Sequence, residues 1–149
     1  MKSAKFTLKV GSKLPFEQLV TLYNSVGWVA YTNEQERPKL LLAIQNSTYV
    51  VSAWSEDQLI GLARGLSDDV SIFYLQDILV HPEFQQKGVG RQLLSNCLER
   101  FEHVRMKVLL TENEEKQIRF YKAMDFKNTK DLKQIPLNAF VQVRGIELA

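Results

Sequence analysis

The chain has 149 residues, 45% hydrophobic and 24% charged, the make-up of a folded domain that can bury a core without disulfide or metal staples. Its single cysteine, Cys97, excludes an intrachain disulfide, and two histidines beside it are too few soft ligands for a zinc cluster. A formal charge of +2 argues against holding nucleic acid by bulk charge, while leaving room for a local basic pocket.

No apolar run nears the roughly 20 residues of a membrane-spanning helix. The start, MKSAKFTLKV, alternates polar and apolar instead of opening on a signal-peptide run. The expectation is one cytoplasmic domain over residues 1–149, with no membrane or nucleic-acid partner and no metal.

Phe6, Leu8 and Val10 alternate as in a half-buried strand. Pro15 opens a helix striped by Phe16, Leu19, Tyr23 and Val26, with Gly27 placed to end it. The stretch Gly27–Thr32 has no period and reads as a loop, yet it carries two aromatics, Trp28 and Tyr31, that no local pattern requires. Each is either an anchor on the core or a wall of a substrate pocket. Asn33 is placed to cap a second helix striped by Leu40, Leu41 and Ile44.

Strands follow at Tyr49–Trp54, Leu59–Leu66 and Ile72–Val80, joined by polar turns too short for a parallel crossover, so they form an antiparallel meander. A helix striped by Val89, Leu93, Leu94, Cys97, Leu98 and Phe101, a strand from Met106 to Leu110 and a helix from Glu114 to Met124 come next. That alternation implies a right-handed crossover and one parallel pair. Ala139–Arg144 reads as a last strand. The fold class is α/β of the α+β type, with a mixed, mostly antiparallel sheet and helices on both faces.

The segment Gln85-x-x-Gly88-x-Gly90-Arg91 stands between a strand and a helix. Glycines there allow a sharp turn and close backbone approach, and the helix N-terminus adds about half a positive charge. This is a phosphate seat flanked by Lys87 and Arg91, suited to a pyrophosphate-bearing ligand. Neither the Walker A spacing nor the third glycine of the dinucleotide fingerprint is present. Arg64 inside an apolar strand needs a partner, and Asp77 on the next strand is a candidate for a structural ion pair.

Together with Arg119-Phe120-Tyr121-Lys122-Ala123-Met124-Asp125-Phe126 about thirty residues later, the glycine segment resembles the GNAT superfamily of acyl-CoA-dependent N-acetyltransferases. Leu22–Trp28 and Gln76–Glu83 are similar to a subgroup of small bacterial and plastid enzymes that includes the arylalkylamine acetyltransferases.

The resemblance implies acetyl-CoA as co-substrate and a small-molecule or peptide amine as acceptor. It implies that Ile78, Leu79 and Val80 pair through their backbones with the pantetheine arm. Gln85, Gln86, Lys87, Gly88, Val89, Gly90 and Arg91 would hold the pyrophosphate, with Asn113 and Phe120 completing the cofactor site. A backbone N–H at Leu79 or its neighbour would polarise the thioester carbonyl. Tyr121 matches the tyrosine that protonates the departing sulfur. The general base stays open among Asp77, His81, Glu112 and a water chain. A non-catalytic acyl-CoA-binding regulatory or partner-binding module on the same fold is the alternative, and relatives suggest a homodimer. Asp125 stands where the family's Phe-Tyr-x-x-x-Gly-Phe element has glycine, which places it in a left-handed helix end that Asp tolerates.

Overall fold

A computed structural model describes residues 5–148. The chain divides after Leu110 into two compact units, each described by itself.

The first unit is built on five strands in the order β1-β2-β3-β4-β5: β1 (Thr7–Val10), β2 (Tyr49–Ser55), β3 (Gln58–Ser67), β4 (Ile72–Val80) and β5 (Met106–Leu109). The first four are antiparallel neighbours, and β4 and β5 run parallel. The meander and its single parallel pair are as the spacing of the strands predicts. Asp68 shapes the β3–β4 turn, its Oδ1 accepting from the N–H groups of Val70, Ser71 and Ile72 at 3.0, 2.7 and 3.1 Å. Those bonds, after that of the Ser71 hydroxyl, hold its carboxyl well below the usual carboxylate range.

Helices cover both faces. Helix α1 (Phe16–Ser25) and helix α2 (Arg37–Asn46) bury Leu19, Leu22, Tyr23, Leu40 and Ile44 with Val50, Trp54, Leu59, Leu62 and Leu79 of the sheet. Each such buried side chain contributes about 1.5–3 kcal/mol. Helix α3 (Val89–Arg100) lies on the opposite face, burying Val89, Leu93, Leu94 and Cys97. Gly61 permits its close approach: a Cβ there would stand 3.1 Å from both Val89 Cγ1 and Leu93 Cδ1. Burial pushes the Cys97 thiol up to about 12, so it is an inert core group.

Gly27 ends α1 at φ +80° as expected. Asn33 differs from the expectation. Its Oδ1 accepts from Glu36 N–H at 3.0 Å, so it caps a lead-in turn, and the helix proper starts at Arg37 with Pro38 in its first turn.

The second unit holds helix α4 (Glu115–Ala123), a single 3-10 turn at Thr129–Asp131 and irregular chain to Leu148. The expected strand at Ala139–Arg144 does not form. Alternation supplies only the side-chain half of a strand, and the ladder must come from a neighbour. The segment has none among the described residues, and Phe140 is 91% exposed.

Candidate active site

The site grows out of the second half of β4. Pairing with β5 covers Ile72 to Leu75 and stops there, while pairing with β3 continues to Val80. From Asp77 onward β4 therefore has one edge with no strand partner among the described residues.

The register shows which backbone groups face that edge. His81 N–H donates to the Ile60 carbonyl at 2.8 Å. Hydrogen-bonded pairs alternate along an antiparallel ladder, so Leu79 and Asp77 also turn their N–H and C=O groups toward β3. Ile78 and Val80 turn theirs outward. The Val80 carbonyl is met by Gln85 Nε2, which donates at 3.0 Å. Of the two positions the sequence left open for a carbonyl-polarising N–H, the outward-facing ones are thus the neighbours of Leu79.

β4 leads directly into the glycine segment. His81 Nδ1 accepts from Glu83 N–H at 3.1 Å, capping a short 3-10 turn at Pro82–Phe84. Gln86 at φ +61° and Gly88 at φ +86° then reverse the chain so that α3 starts at Val89. A Cβ at Gly88 would meet nothing within 4 Å, so the requirement there is the left-handed backbone and not space. The N–H groups of Val89, Gly90 and Arg91 have no acceptor within the helix. Lys87 and Arg91 stand exposed beside them, and neither forms an ion pair among the described residues. The result is a row of aimed donors and two available cations, the chemistry of an anion seat.

Asp77 does not face this edge. Its Oδ2 accepts from Arg64 Nε at 2.6 Å and from the Tyr23 hydroxyl at 2.9 Å, all three groups buried. Arg64 also donates to Ser47 Oγ at 3.3 Å. Burial, then the adjacent Asp77, pushes the Tyr23 hydroxyl well above its ordinary range, which keeps it a donor. Burial works against the Arg64 charge, but Asp77 more than offsets it and holds the guanidinium above its ordinary value. The ion pair read from the two strands is present, with Tyr23 as a third member that the helix stripe alone marked only as core. A tyrosine on an otherwise aliphatic stripe was the available signal, since a buried hydroxyl needs a partner.

Trp28 and Tyr31 are half-buried and pack against the Tyr23 ring at centroid distances of 5.8 and 5.6 Å. They anchor the loop on the same core as the Arg64–Asp77 pair.

In the second unit α4 carries Phe120 and Tyr121, and Asn113 is exposed just before it. The helix ends as the Asp125 departure predicts, in the left-handed region at φ +69°. Asp125 N–H donates to the Lys122 carbonyl at 3.1 Å and Phe126 N–H to the Tyr121 carbonyl at 3.0 Å, the two bonds of a Schellman cap. The accompanying apolar contact is Phe126 edge-on to Tyr121 at 6.0 Å. Helix end and Tyr121 ring are thus held by one motif. Burial pushes the Tyr121 hydroxyl up to about 12, so it is protonated throughout the neutral range.

The family model for the acetyltransferase (GNAT) family matches residues 16–126. The chain belongs to the GNAT family of acetyltransferases. Among curated relatives, the uncharacterized N-acetyltransferase ycf52 of Gracilaria tenuistipitata var. liui is 30% identical over 125 residues, covering 80% of this chain and 65% of its own length. The ycf52 protein of Pyropia yezoensis is 28% identical, covering 73% of this chain and 63% of its own. The chain therefore spans somewhat less than two thirds of the length of these relatives. A GNAT family acetyltransferase of Streptococcus pneumoniae TIGR4 superposes with a TM-score of 0.78 at 29% identity over 95% of this chain and 99% of its own. The GNAT fold also appears in AAC(6')-Iy, solved with a coenzyme A bisubstrate analogue, at a TM-score of 0.68 and 17% identity, covering 91% of this chain and 99% of its own.

No helix among the described residues is long and apolar enough to cross a membrane.

Proposed function

We propose that this GNAT chain transfers the acetyl group of acetyl-CoA to a primary amine, with residues 1–149 working as one acetyltransferase domain. The observation that carries the reading is the continuity of an open β4 edge with a donor-lined anion seat at the α3 N-terminus. A pantetheine arm needs strand-like backbone partners and a pyrophosphate needs bare N–H groups beside cations, and the two stand in that order along the chain.

When bound, acetyl-CoA supplies an acyl group activated as a thioester. Ile78 and Val80 offer outward N–H groups, the donors suited to polarise a carbonyl laid along the edge. Gln85 to Arg91 hold the diphosphate, and Asn113 bonds the pantetheine amide. The Tyr121 hydroxyl holds the proton delivered to the departing sulfur, and its elevated range keeps that proton in place at working pH. Trp28 and Tyr31, besides anchoring their loop on Tyr23, wall the amine with the faces left half-exposed. His81 Nδ1 is engaged as a cap acceptor and Asp77 by two donors, so Glu112 or a water chain takes the ammonium proton.

The test is thiol release from acetyl-CoA across a panel of amines, beside calorimetry with coenzyme A. Release with at least one amine is expected. Binding without release for any amine would assign the chain to the non-catalytic acyl-CoA-binding alternative, and absence of binding would overturn both. Tyr121→Phe is expected to lower kcat by about 100-fold or more while coenzyme A affinity stays within about twofold. With a folded-state value near 12, loss of the Tyr121 proton should limit kcat only well above pH 10.

A further inference from the structure

The ladder between β3 and β4 contains one irregularity. Arg64 pairs with Asp77 and Gly65 with Leu75, so Gln76 has no partner and forms a one-residue bulge. A bulge of this kind inverts the inside–outside order of every later residue in its strand. Before it, Phe73 faces α3 and stacks on Phe101 at 4.4 Å. After it, Asp77 and Leu79 face α1, where Asp77 meets Tyr23 and Arg64 and Leu79 joins the α1 core.

Without the bulge, strict alternation would carry Asp77 to the side of Phe73 and Leu75. The buried positions of α3 on that side are Val89, Leu93, Leu94 and Cys97, none of which can pair a carboxylate. A lone buried charge is far costlier than an unpaired strand residue at an exposed position such as Gln76. The bulge also marks the place where β5 pairing ends, at Leu75.

We propose that the buried Arg64–Asp77–Tyr23 cluster is a positioning device that pins the β4 bulge at Gln76, and so determines that Ile78 and Val80, rather than Asp77 and Leu79, present their N–H groups to the open edge. The consequence for ligand binding rests on the acetyl-CoA reading above, and the consequence for register does not. The three side chains act through the strand and touch no reacting atom.

Two full-length variants test it. Arg64→Met with Asp77→Leu replaces the pair by apolar groups of similar size, a change that buried ion pairs commonly survive. Cross-strand nuclear Overhauser contacts of Ala63, which faces Ile78 in the native register, are expected to move to residue 77, and coenzyme A affinity to fall about tenfold or more. Contacts that remain at Ile78 overturn the proposal, and so does failure of this variant to fold, because the cluster would then supply stability and not register. Deletion of Gln76 removes the bulge but leaves Asp77 on the α1 side. It should fold with the ion pair and the Ala63–Ile78 contact intact and, because Ile78 and Val80 then still face the open edge, keep coenzyme A affinity within about threefold. A tenfold loss in the deletion with the Ala63–Ile78 contact intact overturns the claim that the cluster acts on binding through the choice of outward N–H groups. If the native chain binds no coenzyme A, the acetyl-CoA reading fails, while the Ala63 contacts decide the register claim on their own.

Discussion

The two halves of β4 are made of similar residues and do different work. Phe73 to Leu75 is paired on both sides and sends Phe73 and Leu75 into the apolar interior under α3. Asp77 to Val80 is paired on one side and sends a carboxylate into the opposite interior. A single unpaired residue separates them. A strand can thus be paired scaffold at one end and open edge at the other, provided something switches its parity between the two.

The largest way to break this contrast is to put a charge in the wrong half. Leu75→Asp should cost about 3–5 kcal/mol in urea unfolding, since its carboxylate would sit under α3 without a partner. A loss below 1 kcal/mol would show that side to be wetter than the packing indicates. Proline at neighbouring positions of the second half sharpens the contrast next. Leu79→Pro removes a ladder bond and a buried side chain, and should cost about 3 kcal/mol. Val80→Pro removes an N–H that serves no strand, and should cost less than about 1.5 kcal/mol while weakening acetyl-CoA binding. Equal losses at the two positions would refute the assignment of outward and inward N–H groups.

Smaller effects are expected at one position in each unit. Asp125→Gly is expected to raise stability by up to about 1 kcal/mol, read as a higher melting temperature with acetyl-CoA binding kept, because glycine adopts φ +69° without strain. A lowered melting temperature would contradict the left-handed cap. Gln85→Ala removes the donor to the Val80 carbonyl and should cost about 0.5–1 kcal/mol, the worth of one exposed hydrogen bond.

Much of this was legible beforehand, for identifiable reasons. The meander, the helices and the parallel pair follow from period and connection length, which are local quantities. The turn ahead of α3 was legible because glycine takes the left-handed backbone at little cost, and the left-handed state of Asp125 because a family glycine is missing there. The bulge was not. Phe73, Leu75, Asp77 and Leu79 share one parity in sequence, and nothing local says that the parity changes at Gln76. The clue was the charge itself, at a position that should be buried, with Arg64 one strand away. The expected last strand failed for the opposite reason: Ala139–Arg144 has the right alternation, but a ladder is a relation between two segments and cannot be read from one.

An open sheet edge has a cost that the chemistry of the site does not mention. Backbone groups turned outward at Ile78 and Val80 will receive the strand of another polypeptide as readily as the pantetheine arm proposed for them, and that is how sheet proteins aggregate. A ligand bound along the edge blocks that route and also stabilises the fold, by about 2.7 kcal/mol at a hundred times its Kd. On the proposed acetyl-CoA reading, colloidal behaviour would be tied to the supply of the co-substrate, which would double as the agent that keeps the idle protein dispersed.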